Sequence, residues 1–206
     1  DFIKYADLTR EEARRRLGIE QNQQVFLCIG FIQPHKGFDR AMSAFLQTTQ
    51  PNASLYVVGS LRLDYDLTRN YLNRLRELEE RGSGRVHLVE KYVDNEELDT
   101  WISASDYVVV PYEEAWSSSI LERAKLFGKP VVASSAGGLG DQVGPDDRIF
   151  ETEEQLVNVF FELTDSTLKI HNRNGNMVLK KGATELELNL QDFRQLLETL
   201  RKILAD

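Results

Sequence analysis

Gln24-Val25-Phe26-Leu27-Cys28-Ile29-Gly30-Phe31-Ile32-Gln33-Pro34-His35-Lys36-Gly37 is the stretch that decides the fold. It begins with a short, almost unbroken apolar run that stops at a glycine, the pattern of a strand buried on both faces. Gln33 to Gly37 makes a turn. Beyond it, Phe38, Ala41, Met42, Phe45 and Leu46 fall on one face of a helix. Strand, glycine loop and helix in that order form the first unit of an α/β fold.

The same rhythm continues downstream. Ser54 to Gly59 reads as a strand, and Tyr65 to Arg81 as a helix with Leu67, Tyr71, Leu72, Leu75 and Leu78 on its buried face. Arg85 to Val89 is a strand, Asp94 to Ser103 a short helix and Asp106 to Pro111 another strand. Ser117 to Phe127 is a helix ended by Gly128, Lys129 to Ala133 a strand, and Thr152 to Leu163 an amphipathic helix. Upstream, Thr9 with Glu12 forms a capping box for a helix that runs to Leu17 and stops at Gly18. Four or five such units over residues 24–163 predict a doubly wound, Rossmann-like parallel sheet. Ligands bind outside the carboxyl ends of the strands in that architecture, here where loops 30–37, 111–119 and 134–140 converge.

The tail breaks the rhythm. Leu168 to Asn172 and Met177 to Lys180 flank Arg173-Asn174-Gly175-Asn176, and Asn-Gly signals a tight hairpin. Thr184 to Leu190 is a third alternating run, followed by a helix from Asp192 to Leu204. The expected organisation is an entry segment 1–23, a Rossmann-like domain 24–164, and a β-β-β-α appendage 165–206 that begins near Asp165.

Composition narrows the function classes. A net charge of -8 argues against a nucleic-acid binder, which needs a basic face for phosphates. Arg14, Arg15 and Arg16 do cluster, but beside Glu11 and Glu12 they read as a solvated helix face. The longest apolar runs, such as Tyr107 to Pro111, are strand-length and far short of a membrane span. The single cysteine, Cys28, reads as a small buried hydrophobe and makes neither an intrachain disulfide nor a zinc site. The charged start, Asp1 to Arg16, has no signal-peptide pattern, and a cytoplasmic location is expected.

Three loops carry residues suited to chemistry. In the first, Gly30 and Gly37 permit close backbone approach, and Lys36 precedes a helix N-terminus that favours anions. This is not a P-loop, since the required spacing is absent. In Pro111-Tyr112-Glu113-Glu114-Ala115-Trp116-Ser117-Ser118-Ser119-Ile120-Leu121-Glu122, two carboxylates flank a serine-rich helix start. Backbone N–H groups at Ser117, Ser118 and Ser119 suit an anion, and a carboxylate can grip a vicinal diol. Read from the residues alone, Glu114 and Glu122 are equally compatible with solvated helical positions. Gly137 and Gly138 mark either a close approach to a ligand or a tight turn. Asp64-Tyr65-Asp66 has the form of a metal motif, but it precedes a helix in a polar loop, and no metal is expected.

Together the three loops resemble the C-terminal domain of retaining glycosyltransferases of the GT-B fold, family 4 type. The shared features are a glycine loop ending in Lys-Gly (Gly30 to Gly37), a proline followed by Glu-x7-Glu (Pro111, Glu114, Glu122), and Gly-x-Pro-Val-Val-Ala (Gly128 to Ala133) followed by Gly-Gly-Leu (Gly137 to Leu139). The resemblance covers about residues 10 to 163. It implies a nucleoside diphosphate sugar as donor, transfer with retained anomeric configuration, and no metal or other cofactor. It assigns Lys36 to the donor diphosphate, Glu114 to the transferred sugar and Glu122 to the ribose. It assigns backbone N–H groups near Ser118 and Ser119 to phosphate, and Tyr92 and Val93 to the base. It also implies an N-terminal acceptor-binding domain. The chain starts where the linker from that domain ends, so the isolated chain is expected to be inactive in transfer. Two departures stand out: Phe31 where the family has an arginine, and Ser117 where it has a glycine. Other readings are a non-catalytic nucleotide-sugar binding module, a GT-B-type epimerase, for which only His35 of the three histidines lies in a candidate loop, and an interaction protein using the tail hairpin.

Overall fold

The computed structural model describes residues 3–164, 168–181 and 184–203. It divides into two compact units, Asp1–Phe160 and Phe161–Asp206. In the first, the elements run α1 (Arg10–Leu17), β1 (Gln24–Ile29), α2 (Phe38–Phe45), β2 (Ala53–Gly59), α3 (Asp66–Arg81), β3 (Val86–Glu90), α4 (Asn95–Ala104), β4 (Tyr107–Val110), α5 (Ser119–Leu126), β5 (Val131–Ser134) and β6 (Arg148–Phe150). Helix α6 (Glu153–Thr164) runs across the division.

The six strands form one sheet in the order β3-β2-β1-β4-β5-β6, and every pairing is parallel. The doubly wound expectation holds. Parallel strands need helical crossovers, the crossovers cover both faces, and covered strands read as continuous apolar runs. Phe26 is packed from one face by Phe45 of α2 and Phe160 of α6, the latter ring edge-on at 5.3 Å. On the opposite face Leu27 is registered with Tyr56, whose ring meets Trp101 of α4 at 5.5 Å. Cys28 is fully buried, which pushes its thiol pKa up.

The structure corrects several sequence expectations. Arg14 is fully buried rather than solvated. Its guanidinium donates to the carbonyls of Ala104, Glu20, Gln21 and Gln23 at 2.6–3.1 Å, and to Asp106 at 2.8 Å. Three consecutive helical residues span about 200°, so one solvated face cannot hold all three arginines. Leu67 is 60% exposed, and Thr68 takes the buried place with its hydroxyl donating to Leu63 and Tyr65 carbonyls. The stripe is centred on positions 68, 71, 75 and 78, and Leu67 lies off it. Strand β6 escaped the sequence reading because it has three residues, of which only Phe150 is buried. Helix α5 begins at Ser119, because Ser118 serves as N-cap and accepts the Leu121 N–H at 3.2 Å.

The second unit contains β7 (Leu168–Arg173), β8 (Asn176–Lys181) and β9 (Thr184–Leu188) in an antiparallel sheet, then α7 (Leu190–Ile203). Asn174 at φ 53° and Gly175 at φ 90° form the two-residue turn that Asn-Gly favours. Asp165, where the sequence reading sets the boundary, and Leu204 lie outside the described residues. No described helix is long and apolar enough to cross a membrane.

Candidate functional site

The strand order reverses between β1 and β4, so the loops leaving their carboxyl ends part and leave a crevice. A cleft of about 410 Å³ opens there. Gly30, Phe31, His35 and Lys36 contribute from the loop after β1; Gly59, Ser60 and Arg62 from the end of β2; Tyr92, Val93 and Asn95 from the loop after β3. Tyr112, Ser119 and Ile120 close it after β4.

Backbone contacts hold these loops. The Ile32 N–H donates to the Ser60 carbonyl at 2.8 Å, and the Glu113 N–H to the His35 carbonyl at 2.9 Å. Gly37 permits the second junction: it sits at φ 60°, and a Cβ there would lie 2.2 Å from the Pro111 carbonyl oxygen. A larger residue would push the Lys36 turn away from the loop bearing Tyr112 and Glu114.

Lys36 is the central cation. Its Nζ lies 3.7 Å above the centroid of the Tyr112 ring. That ring is 2% exposed, and burial pushes its phenol pKa up to about 12, so the platform is neutral. Among the described residues, no carboxylate pairs with Lys36, and burial pulls its pKa below the ordinary lysine value. Among the described residues no Asp or Glu lines this cleft. Acidic residues make up 33 of the 206, so a wall of this size drawn at random would carry about two or three. A half-buried, unpaired ammonium in an acid-free cleft of an acidic protein is built to receive an anion.

The N-terminus of α5 adds donors. Ser118 takes the N–H groups of Leu121 and Glu122 with its hydroxyl and carbonyl, both at 3.2 Å. Among the described residues the N–H groups of Ser119 and Ile120 have no hydrogen-bond partner, as first-turn helix donors do, and both residues lie on the cleft wall. The Ser118 N–H, expected to face phosphate, instead donates to Gln142 Oε1 at 2.8 Å. Gln142 Nε2 in turn donates to Glu122 Oε1 at 2.9 Å, and Lys125 Nζ lies 3.6 Å from that same oxygen. Among the described residues no hydrogen bond reaches Glu122 Oε2.

Of the residues singled out in the sequence, Gly30, Lys36, Tyr92, Val93 and Ser119 meet on the cleft wall. Glu114, Ser117, Ser118, Glu122, Gly137 and Gly138 lie off it. Glu114 is exposed, close enough to His35 for its charge to raise that imidazole's pKa, against the lowering by burial and by Lys36. Gly137 and Gly138 support the 113–118 loop. A Cβ on Gly137 would lie 1.9 Å from the Ala115 carbonyl oxygen, and one on Gly138 2.4 Å from that of Trp116. The glycines thus hold up the loop carrying Glu114 and Trp116, an indole left 93% exposed. Asp64 and Asp66 both pair with Arg69, at 3.0 and 3.6 Å. Sequence reasoning missed Gln142, Arg62 and the platform role of Tyr112. A glutamine or arginine in a polar loop sends no signal until the loop's neighbours are known.

Comparisons with known proteins agree with this architecture. The family described as Glycosyl transferases group 1 matches residues 9–183. A D-inositol 3-phosphate glycosyltransferase of Nocardioides sp. is 34% identical over 141 residues, 63% of this chain and 31% of that protein. The chain spans about a third of the length of the curated relatives it matches. Sucrose-phosphate synthase from Thermosynechococcus elongatus superposes with a TM-score of 0.62 at 26% identity, over 72% of this chain and 38% of that one. Anabaena HepE, solved in complex with UDP-glucose, superposes with a TM-score of 0.63 at 22% identity, over 76% and 43%. The chain belongs to the group 1 glycosyl transferases, and its larger unit has the Rossmann-like fold of one half of a GT-B enzyme.

Proposed function

We propose that this chain binds the nucleoside diphosphate sugar donor of a glycosyltransferase that retains anomeric configuration, acting with a separate domain that holds the acceptor. The observation that carries the reading is the unpaired Lys36 in a cleft free of carboxylates. Lys36 and the free N–H groups of Ser119 and Ile120 take the diphosphate, and Tyr92 and Val93 flank the base. Glu122 presents Oε2 to the ribose diol, and Glu114 addresses the transferred sugar. Leaving-group stabilisation is electrostatic: negative charge builds on the diphosphate as the glycosidic bond breaks, and fixed donors stabilise it without rearranging. Asp64 and Asp66 are engaged with Arg69, and the reading assigns the charge-stabilising task to protein groups rather than to a metal.

Calorimetric titration with UDP, GDP and ADP, and with their glucose and mannose conjugates, tests it. One base should bind preferentially, and Lys36→Ala should weaken that binding about tenfold or more. Binding unchanged by Lys36→Ala refutes the reading. Donor binding without transfer, once an acceptor-binding domain is supplied, would instead identify a non-catalytic module.

A further inference from the structure

A nucleoside diphosphate brings more negative charge than one lysine balances, and the position beside Gly30 that could carry a second cation holds Phe31. The cleft wall nevertheless contains a second strong cation, Arg62, which comes from the loop after β2, the strand next to β1. The loop after β2 runs alongside the loop after β1, tied by the Ile32 N–H to Ser60 bond at 2.8 Å and by the Ile32–Leu61 bridge. Arg62 therefore rises next to Phe31, and its guanidinium carbon lies 5.8 Å from that ring's centroid. The two carboxylates of its own loop, Asp64 and Asp66, are both taken by Arg69. Among the described residues Arg62 itself has no hydrogen bond or ion pair. An arginine steadied on an aromatic face, with nearby acids occupied elsewhere, keeps its planar fork of donors available for phosphate oxygens.

We infer that Arg62 is the second cation of the diphosphate subsite, sharing the cleft wall with Lys36 and steadied by Phe31. The inference rests on the nucleotide-sugar reading above. It separates the two cations onto different loops, so that diphosphate binding ties the loop after β1 to the loop after β2.

The test is calorimetry on the chain with UDP, GDP and ADP and with the matching monophosphates, at low and high salt. Arg62→Ala and Arg62→Gln should weaken the preferred diphosphate about five- to tenfold and flatten its salt dependence. The monophosphate should change about twofold or less, and Arg62→Lys should recover part of the loss. Circular dichroism checks the fold, which an exposed side chain does not support. If both variants bind diphosphate within about twofold of the parent while Lys36→Ala does not, Arg62 has no such role and the donor reading survives. Equal losses for mono- and diphosphate also overturn the assignment. If the parent binds no nucleotide, both readings fall.

Discussion

Replacing Lys36 with methionine should weaken nucleotide binding and stabilise the fold at the same time. The ammonium is half buried, lies 3.7 Å over the Tyr112 ring, and has no carboxylate partner among the described residues. Methionine keeps the apolar stem and drops the charge. A charge-assisted hydrogen bond to phosphate contributes about 1.5–3 kcal/mol, so the dissociation constant should rise about 10- to 150-fold. In the free protein the balance runs the other way. The lost cation–π contact is worth about 0.5–1 kcal/mol, while burying a polar group without a partner costs about 1–3 kcal/mol. The net expectation is a gain of about 0.5–2 kcal/mol, a stability cost that function imposes. The pH dependence follows from the lowered pKa. Below Lys36's folded pKa both states are protonated, and the folded state carries the full desolvation penalty. As pH rises through that value toward the ordinary 10.5, the unfolded chain holds the proton longer and the parent gains stability. Lys36→Met lacks that gain, and the difference between the two curves isolates it from Lys129, also depressed by burial and common to both proteins. Urea unfolding across the alkaline range, paired with calorimetry, measures both effects. A variant that loses more than about 1 kcal/mol while binding nucleotide as the parent does would show that Lys36 is structural.

Arg14→Ala should destabilise by about 2–4 kcal/mol, because it removes one donor from each of four carbonyls and leaves Arg10 as the one arginine paired with Asp106. Arg15→Ala should stay within about 0.5 kcal/mol, and equal urea midpoints for the two would refute the buried reading. Gly137→Ala forces a side chain into φ 56° and against the Ala115 carbonyl. It should cost about 2 kcal/mol and open the 113–118 loop to protease, whereas an unchanged digestion pattern contradicts the supporting role. Gln142→Leu should free Glu122 to swing toward Lys125 and weaken ribonucleotide binding about threefold to tenfold. A 2′,3′-dideoxy nucleotide should bind the variant and the parent equally; parallel losses would mean that Gln142 supports the loop and not the carboxylate.

The parallel sheet, the antiparallel tail hairpin and the loop bearing Lys36 were legible in the sequence because each depends on local order. A strand covered on both faces must be apolar throughout, a turn needs its glycine, and Asn174-Gly175 fits one hairpin turn. Lys36 stood out for the same reason, lying between a glycine-ended strand and a helix start. What stayed hidden involves partners distant in the chain. Whether Arg14 is solvated depends on the carbonyls at 20–23 and 104 and on Asp106, which no periodicity reports. Gly137 and Gly138 fitted either a ligand loop or a tight turn, and only packing against residues 115 and 116 shows what they hold up. Gln142 meets the Ser118 N–H and Glu122 across 24 and 20 residues, and Arg62 reaches Phe31 only because the helical crossover through α2 sets β1 and β2 side by side. The sequence determined the elements and the residue types at their ends, since propensity and solvent exclusion act over a few neighbouring positions. The tertiary structure decided which of those residues share a cleft, since hydrogen bonds and charges act over a few ångströms of space regardless of how far apart the residues lie in the chain.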